Sequence, residues 1–289
     1  MLNALSFDTE EIYHAELVRK HLPPEARRSL VESATEPILD MLAKRNLHAT
    51  FFIVGDVLRE HTGFVRAIAA AGHEVGCHTM SHRPLWEMGP EDLRADLREF
   101  KALWRSLWTE LRPSSAPTPR LAGFRAPTFS LVQKTSWALD VLASEGFAYD
   151  SSIFPVANYV YGLNGGPLTA YRPATSDLRQ SDPAGPITEL PMTVWEVAGR
   201  RLPVSGGFYL RAWPMPLLLR ALRQVSRQRP LVLYAHPWEG DVGSPVVPGL
   251  SLTERLITYY NRSSVLPKLA RILDEFPFAP IRDVLRVST

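Results

Sequence analysis

A chain of 289 residues in which 45% are hydrophobic, with 32 basic against 30 acidic side chains, describes an ordinary globular protein and excludes a disordered or fibrous one. Its arginines are scattered rather than gathered into a stripe with interleaved aromatics, so nucleic acid is not an expected partner. The single cysteine, Cys77, excludes a disulfide framework, and the most apolar windows, such as PMPLLLRAL, are too short and too interrupted for an integral membrane segment. The stretch MLNALSFDTEE lacks the basic region and apolar run of a signal peptide, and a cytoplasmic location is the expectation.

In chain order, LNALSFD reads as a buried strand that delivers Asp8 to its C-terminal end. Residues 29–45 carry apolar positions at helical spacing, with Pro37 expected to start or kink the main helix. HATFFIVG is a second strand, GFVRAIAAAG a helix stopped by Gly72, and HEVGC a third strand. A long amphipathic helix opened by Pro90 follows, then a Pro/Ser linker and the strand LAGFRAP. The helix KTSWALDVLASEG and the strand FAYDSS continue the rhythm.

Residues 153–186, rich in Pro, Gly, Asn and Tyr, interrupt the alternation and read as one long lid-like loop. ITELPMTVW, a helix near PLLLRALRQVSR and the strand LVLYAHPWE then resume it. Residues 252–285 read as a helical closing piece with a final strand. Strands alternating with helices imply βαβ units, hence a parallel sheet or barrel, folded as a single domain.

The chemistry-bearing residues collect at strand ends. His78 and His82 lie four apart and share a face if their loop takes one helical turn; two imidazoles with an added anionic ligand suit a divalent metal. Standing alone, such a pair is more often a coincidence of helix surface and core. Asp8 and Glu10, two apart, point to the same side of a strand, although the same pair also fits a helix N-terminus with Asp8 as cap. Arg125 and His236 end two further strands. Each has a bland reading as a surface ion pair or a satisfied core histidine, but all these strand ends meet at one mouth of a barrel.

The ordered set FDTE, HTMSH, FRAPTF, YDSSIFP and YAHPWE resembles the NodB-type polysaccharide deacetylases, carbohydrate esterase family four, over about residues 3–240. The remaining 241–289, with ITELPMTVWEVAGRRLPVSGGFYLRAWP, resembles the extension of the branch linked to exopolysaccharide and exosortase loci. The resemblance implies an α/β fold, a distorted (β/α) barrel with a C-terminal helical extension. It also implies one divalent metal ion, with zinc first and nickel, cobalt or iron as alternatives.

By the same resemblance, Asp8 is the general base, His78 and His82 bind the metal, Arg125 orients Asp8 and His236 is the general acid. The usual second aspartate of the first motif is Thr9 here, so Glu10 is assigned as the third ligand. Glu189 is the first choice for the carboxylate that pairs with His236, and Asp150 the second.

The activity so implied is removal of N-acetyl groups from an N-acetylhexosamine of an exopolysaccharide or its precursor, in association with polysaccharide synthesis machinery. A metal polarises the amide carbonyl and acidifies water, a base takes the water's proton, and an acid protonates the departing amine. Two other readings stay open: hydrolysis of another carbon–nitrogen bond, such as that of a cyclic ureide or imide, and a non-catalytic sugar-binding subunit. Trp238 and Tyr209 have two readings, lining of a sugar or acetyl pocket and plain core or rim packing, and Cys77 is read as a small buried hydrophobe.

Overall fold

The computed structural model describes residues 1–109, 119–156, 160–244 and 246–287. Most of the Pro/Ser linker therefore lies outside the described residues, as do residues 157–159 of the long loop. The strands are β1 (Asn3–Thr9), β2 (Thr50–Ile53), β3 (Glu74–Cys77), β4 (Gly123–Phe124), β5 (Tyr149–Asp150), β6 (Pro173–Ala174), β7 (Asp177–Ser181), β8 (Thr188–Glu189), β9 (Val194–Val197), β10 (Arg200–Pro203), β11 (Val232–Ala235) and β12 (Phe278–Ala279).

The main sheet is parallel and runs β11-β1-β2-β3-β4-β5-β8, with β12 added to β1 at Asn3 and Ala4. It curls into a distorted (β/α) barrel. Between β8 and β11 the described residues form no strand pairing. Thr193 spans that seam instead, donating its N–H to the Val232 carbonyl at 3.2 Å and accepting the Val232 N–H on Oγ1 at 2.6 Å.

Alternation along each strand decides what faces the barrel interior. On β1, Leu5 and Phe7 join the outer core beneath the helices, while Ala4 belongs to the inner cluster with Phe52, Tyr149, Val232 and Tyr234. Ser6 and Asp8 follow Ala4 inward. Both faces of β1 and β2 are buried, which explains why they read as near-continuous apolar runs.

Helices Val31–Ala43, Pro90–Thr109, Met215–Ser226 and Val265–Leu273 pack around the sheet. Pro90–Thr109 buries Leu93, Leu97, Phe100, Trp104, Leu107 and Trp108 at spacings of three and four, one stripe of an otherwise polar helix. Each such side chain contributes roughly 1.5–3 kcal/mol of transfer free energy. The C-terminal residues are structural parts of the barrel: Ile281 closes its lower end, its N–H bonding Thr50 Oγ1 at 2.8 Å, while the Arg282 N–H bonds Glu74 Oε2 at 3.0 Å.

Two local expectations change. The first helix begins at Val31 rather than Pro37, because the Glu11 carboxylate caps it by accepting the N–H groups of Leu30 and Val31 at 2.9–3.1 Å. Pro37 then sits inside the helix on its exposed face. The stretch 153–186 is not all loop, since β6 and β7 pair as a short antiparallel hairpin.

Candidate active site and metal centre

Asp8 leaves β1 pointing into the barrel mouth, where the Arg125 guanidinium donates to its Oδ1 at 2.6 Å. Arg125 is fully buried. Its other donors go to Ser6 Oγ at 2.9 Å, the Ser151 carbonyl at 2.8 Å and Ser151 Oγ at 3.1 Å. The guanidinium also lies 4.2 Å from the Phe52 ring centroid, a cation–π contact inside the core. A side chain with so many fixed partners holds its carboxylate in one orientation.

His78 and His82 do not share a helical turn. The loop is irregular, with Thr79 and His82 both at left-handed φ values of 60° and 56°, and the two rings converge to 4.8 Å between centroids. A β-branched residue at positive φ is strained, and the surrounding contacts hold it. The Met80 N–H donates to both oxygens of Asp96 at 3.0 and 3.1 Å, while the Thr79 and Met80 carbonyls accept N–H groups from Gly55 and Asp56 at 2.8 Å.

The ligand atoms of Glu10, His78 and His82 all lie within 4.8 Å of one another, and all three residues are buried. His78 Nδ1 donates to the Arg125 carbonyl at 2.7 Å, which leaves Nε2 as the free donor atom. Burial holds His78 neutral, with its pKa down at about 4. Glu10 Oε2 is 2.6 Å from His82 Nε2 yet accepts no aligned hydrogen bond. An orphaned buried carboxylate oxygen facing two imidazoles fits a divalent cation. Burial alone would raise the Glu10 carboxyl, but the neighbouring histidines, His82 foremost, hold it well below the usual range. Its other oxygen accepts the Trp238 indole N–H at 3.2 Å.

His236 ends β11 on the far side of this trio. Its Nε2 is 3.6 Å from Glu10 Oε1 and 3.9 Å from Asp8 Oδ2. Its Nδ1 and its backbone N–H both meet Glu239 Oε2 at 3.1 Å. Burial works against the charged ring, but the Glu239 hydrogen bond and the Glu10 and Asp8 carboxylates outweigh it and lift His236 to about 9.

The carboxylate on His236 is therefore Glu239, neither Glu189 nor Asp150. Those two are register partners on β5 and β8 and face each other. Burial raises both carboxyls; Asp150 raises Glu189 further, while the hydrogen bond with Glu189 offsets part of the rise at Asp150, so the pair shares a proton that Glu189 holds. Glu189 also accepts the Ile153 N–H at 2.9 Å and Asp150 the Ser152 hydroxyl at 2.5 Å, ties that steady the segment where Ser151 binds Arg125. Glu239 was legible locally: in HPWE, proline occupies the first helical position and the acid the third, the pattern of a capping box with His236 as its cap.

The cavity above these groups is walled by Phe129, Tyr161, Phe208, Tyr234 and Trp238, with Ile257 from the C-terminal residues. Trp238 stacks on His236 with centroids 5.3 Å apart, a role weightier than the rim packing its position suggests. Tyr209 lies beside this wall, 6.1 Å from Phe154. Cys77 is buried on β3 behind the histidine loop and takes no part in the ligand cluster.

Residues 14–139 match the polysaccharide deacetylase family model, and residues 151–286 match a domain of unknown function, DUF3473. A chitooligosaccharide deacetylase from Rhizobium leguminosarum bv. trifolii is 40% identical over 65 residues, 22% of this chain and 30% of that protein. A peptidoglycan-N-acetylglucosamine deacetylase from Bacillus cereus is 27% identical over 135 residues, 44% of this chain and 46% of that protein. The chain thus spans less than half the length of either relative.

Among solved structures, a Mycobacterium smegmatis protein described as a polysaccharide deacetylase superposes with a TM-score of 0.58 at 19% identity, covering 98% of this chain and 88% of that one. Puue allantoinase gives 0.57 at 15%, with the same coverage. A carbohydrate esterase family four pseudoenzyme from Bacillus anthracis gives 0.51 at 11%, covering 98% and 65%. These likenesses establish the barrel fold.

Proposed function

We propose that this chain, which carries a NodB-type polysaccharide deacetylase domain over residues 14–139, is a metal-dependent N-deacetylase acting on an N-acetylhexosamine of an exopolysaccharide or its precursor. The observation that carries the reading is the placement of an Arg-held carboxylate, Asp8, and a Glu-held imidazole, His236, on either side of the Glu10, His78 and His82 cluster. A sugar-binding module has no use for a base and an acid across a ligand set. Both matched segments contribute strands to one sheet, so we treat residues 1–289 as a single catalytic unit, with the barrel over about 3–240 and an extension over about 241–289.

A divalent cation held by Glu10, His78 and His82, zinc in our reading, would supply Lewis acidity to the acetyl carbonyl and to water. This chain's own groups do the rest. Asp8, oriented by Arg125, takes the proton of the attacking water. When the tetrahedral carbon collapses, the C–N bond breaks and its electrons stay on nitrogen, which receives the proton of His236 Nε2 and leaves as the amine. Glu239 keeps that imidazole charged and aimed, and the aromatic wall offers flat apolar faces to a pyranose ring while limiting water.

Among the described residues no helix is long and apolar enough to cross a membrane. We favour a cytoplasmic, unexported precursor as substrate, met in company with polysaccharide synthesis machinery. The deciding experiment is acetate release from N-acetylglucosamine oligomers by zinc-loaded protein and by His236→Ala. Release that depends on His236 supports the proposal. Absence of release, with hydrolysis of a cyclic ureide instead, would transfer the site to that other amide chemistry.

A further inference from the structure

Arg211 sits in the helix Gly207–Ala212 and is 1% exposed. All five of its guanidinium N–H positions have acceptors. Two go to Glu239 Oε1 at 2.9 Å and the Ile257 carbonyl at 2.8 Å, two to the carbonyls of Thr258 at 3.1 Å and Tyr260 at 2.8 Å, and the Nε–H to the Gly207 carbonyl at 3.4 Å. Burying an ion pair so completely rarely adds net stability over apolar packing, so its retention calls for another reason.

Glu239 supplies one. Its two oxygens divide their work, Oε1 to Arg211 and Oε2 to the ring and backbone of His236. With Oε1 pinned, Oε2 has a single place to be, and the His236 ring is aimed accordingly. The turn that receives Arg211 is itself stapled to the same region. Arg262 donates to the carbonyls of Trp238 and Asp241, and Asn261 Nδ2 donates to the Arg211 carbonyl at 3.1 Å.

We propose that Arg211 is the positioning residue of the acid, and that the carbonyls of Ile257, Thr258 and Tyr260 in the C-terminal residues are working parts of the site through it. This inference rests on the deacetylase reading above. The step it serves is proton delivery from His236 Nε2 to the departing nitrogen as the C–N bond breaks. An acetyl ester of a good leaving group needs no such proton, because a phenolate departs unaided.

The test compares zinc-loaded wild type, Arg211→Lys and Glu239→Asp on N-acetylglucosamine oligomers and on p-nitrophenyl acetate, with metal content and Tm measured beside them. A lysine has three donors on one nitrogen and cannot span five acceptors on three segments. Expected for Arg211→Lys is a fall in kcat on the amide of about tenfold or more with KM unchanged, and a change on the ester below about twofold. Glu239→Asp, which withdraws the carboxylate by one methylene, should lower kcat on the amide by a similar factor, and Arg211→Gln, which should give the same split as Arg211→Lys, substitutes for it if that variant fails to fold. Equal losses on both substrates, or no loss on the amide, would overturn the positioning role while leaving the deacetylase reading intact. A wild type that releases acetate from neither substrate overturns that reading and the inference with it.

Discussion

Asp8 and Arg125 meet at 2.6 Å in a place where neither side chain is more than 3% exposed. The arginine reaches there from the neighbourhood of β4, across β2 and β3, and its remaining donors are taken by Ser6 and Ser151. The pair fixes a carboxylate beside the ligand cluster without making it a ligand. Asp8→Asn should therefore retain bound metal and a near-native Tm while acetate release falls by about 10²–10⁴-fold. Metal analysis and an acetate assay on the same sample check this, and a fully active Asp8→Asn would remove Asp8 as the base.

Wild-type protein should carry about one divalent ion per chain, and the His78→Ala/His82→Ala double variant none. Glu10→Gln, which keeps the shape but gives up the charge of the orphaned oxygen, should bind metal more weakly by one or more orders of magnitude. Elemental analysis after dialysis reads both. A wild type that stays empty when zinc is supplied in excess would end the hydrolase interpretation.

Two buried acids compete for the role of His236 partner, and mutation separates them. Glu239→Gln should lower amide hydrolysis by about 10²-fold, whereas Glu189→Gln, whose parent already shares a proton with Asp150, should stay within about threefold of wild type. Rates normalised to bound metal are the readout. A Glu189→Gln as inactive as Glu239→Gln would bring Glu189 back as the partner.

Asp96 braces the histidine loop through the Met80 N–H, and burial lifts its carboxyl to about 7. Glu99 and Asp56 add to that lift and Arg83 opposes it. A native pKa above the unfolded one gives stability that is complete below the unfolded value, near 4, and is lost as pH rises through about 7. Asp96→Asn stays neutral and keeps an acceptor for Met80. It should be more stable than wild type above pH 7, by on the order of 1–3 kcal/mol, and no more stable at pH 4. Thermal unfolding across that range decides it; a variant less stable than wild type at pH 8 would show that the carboxylate is paid back by its partners.

Much of this site is written in local spacing. The period of two on β1 sends Asp8 inward with Ala4 and Ser6, the residues His78, Arg125 and His236 follow apolar runs that become parallel strands, and parallel strands bring their C-terminal ends to one mouth. Those regularities are properties of a few consecutive residues, which is why a parallel sheet or barrel with Asp8, His78, Arg125 and His236 at one mouth was legible without coordinates, whereas the roles of Glu10, His78 and His82 as a ligand set were implied by the resemblance of the ordered motifs to a known family. Spacing offers candidates without choosing among several buried acids: the HPWE cap points to Glu239 but does not exclude Glu189 or Asp150 as the acid that touches His236. Glu239 and Glu189 both follow buried strands, but β8 and β11 stand at opposite ends of the sheet path, and only the three-dimensional closure puts Glu189 against Asp150 and leaves Glu239 between His236 and Arg211. The histidine loop is the same kind of case: a four-residue interval suggests a helical turn, and left-handed Thr79 and His82, braced by Asp96 from a helix 16 residues away, make a different one. Partner choice and strained loop geometry are set by contacts between distant segments, so only the folded chain decides them.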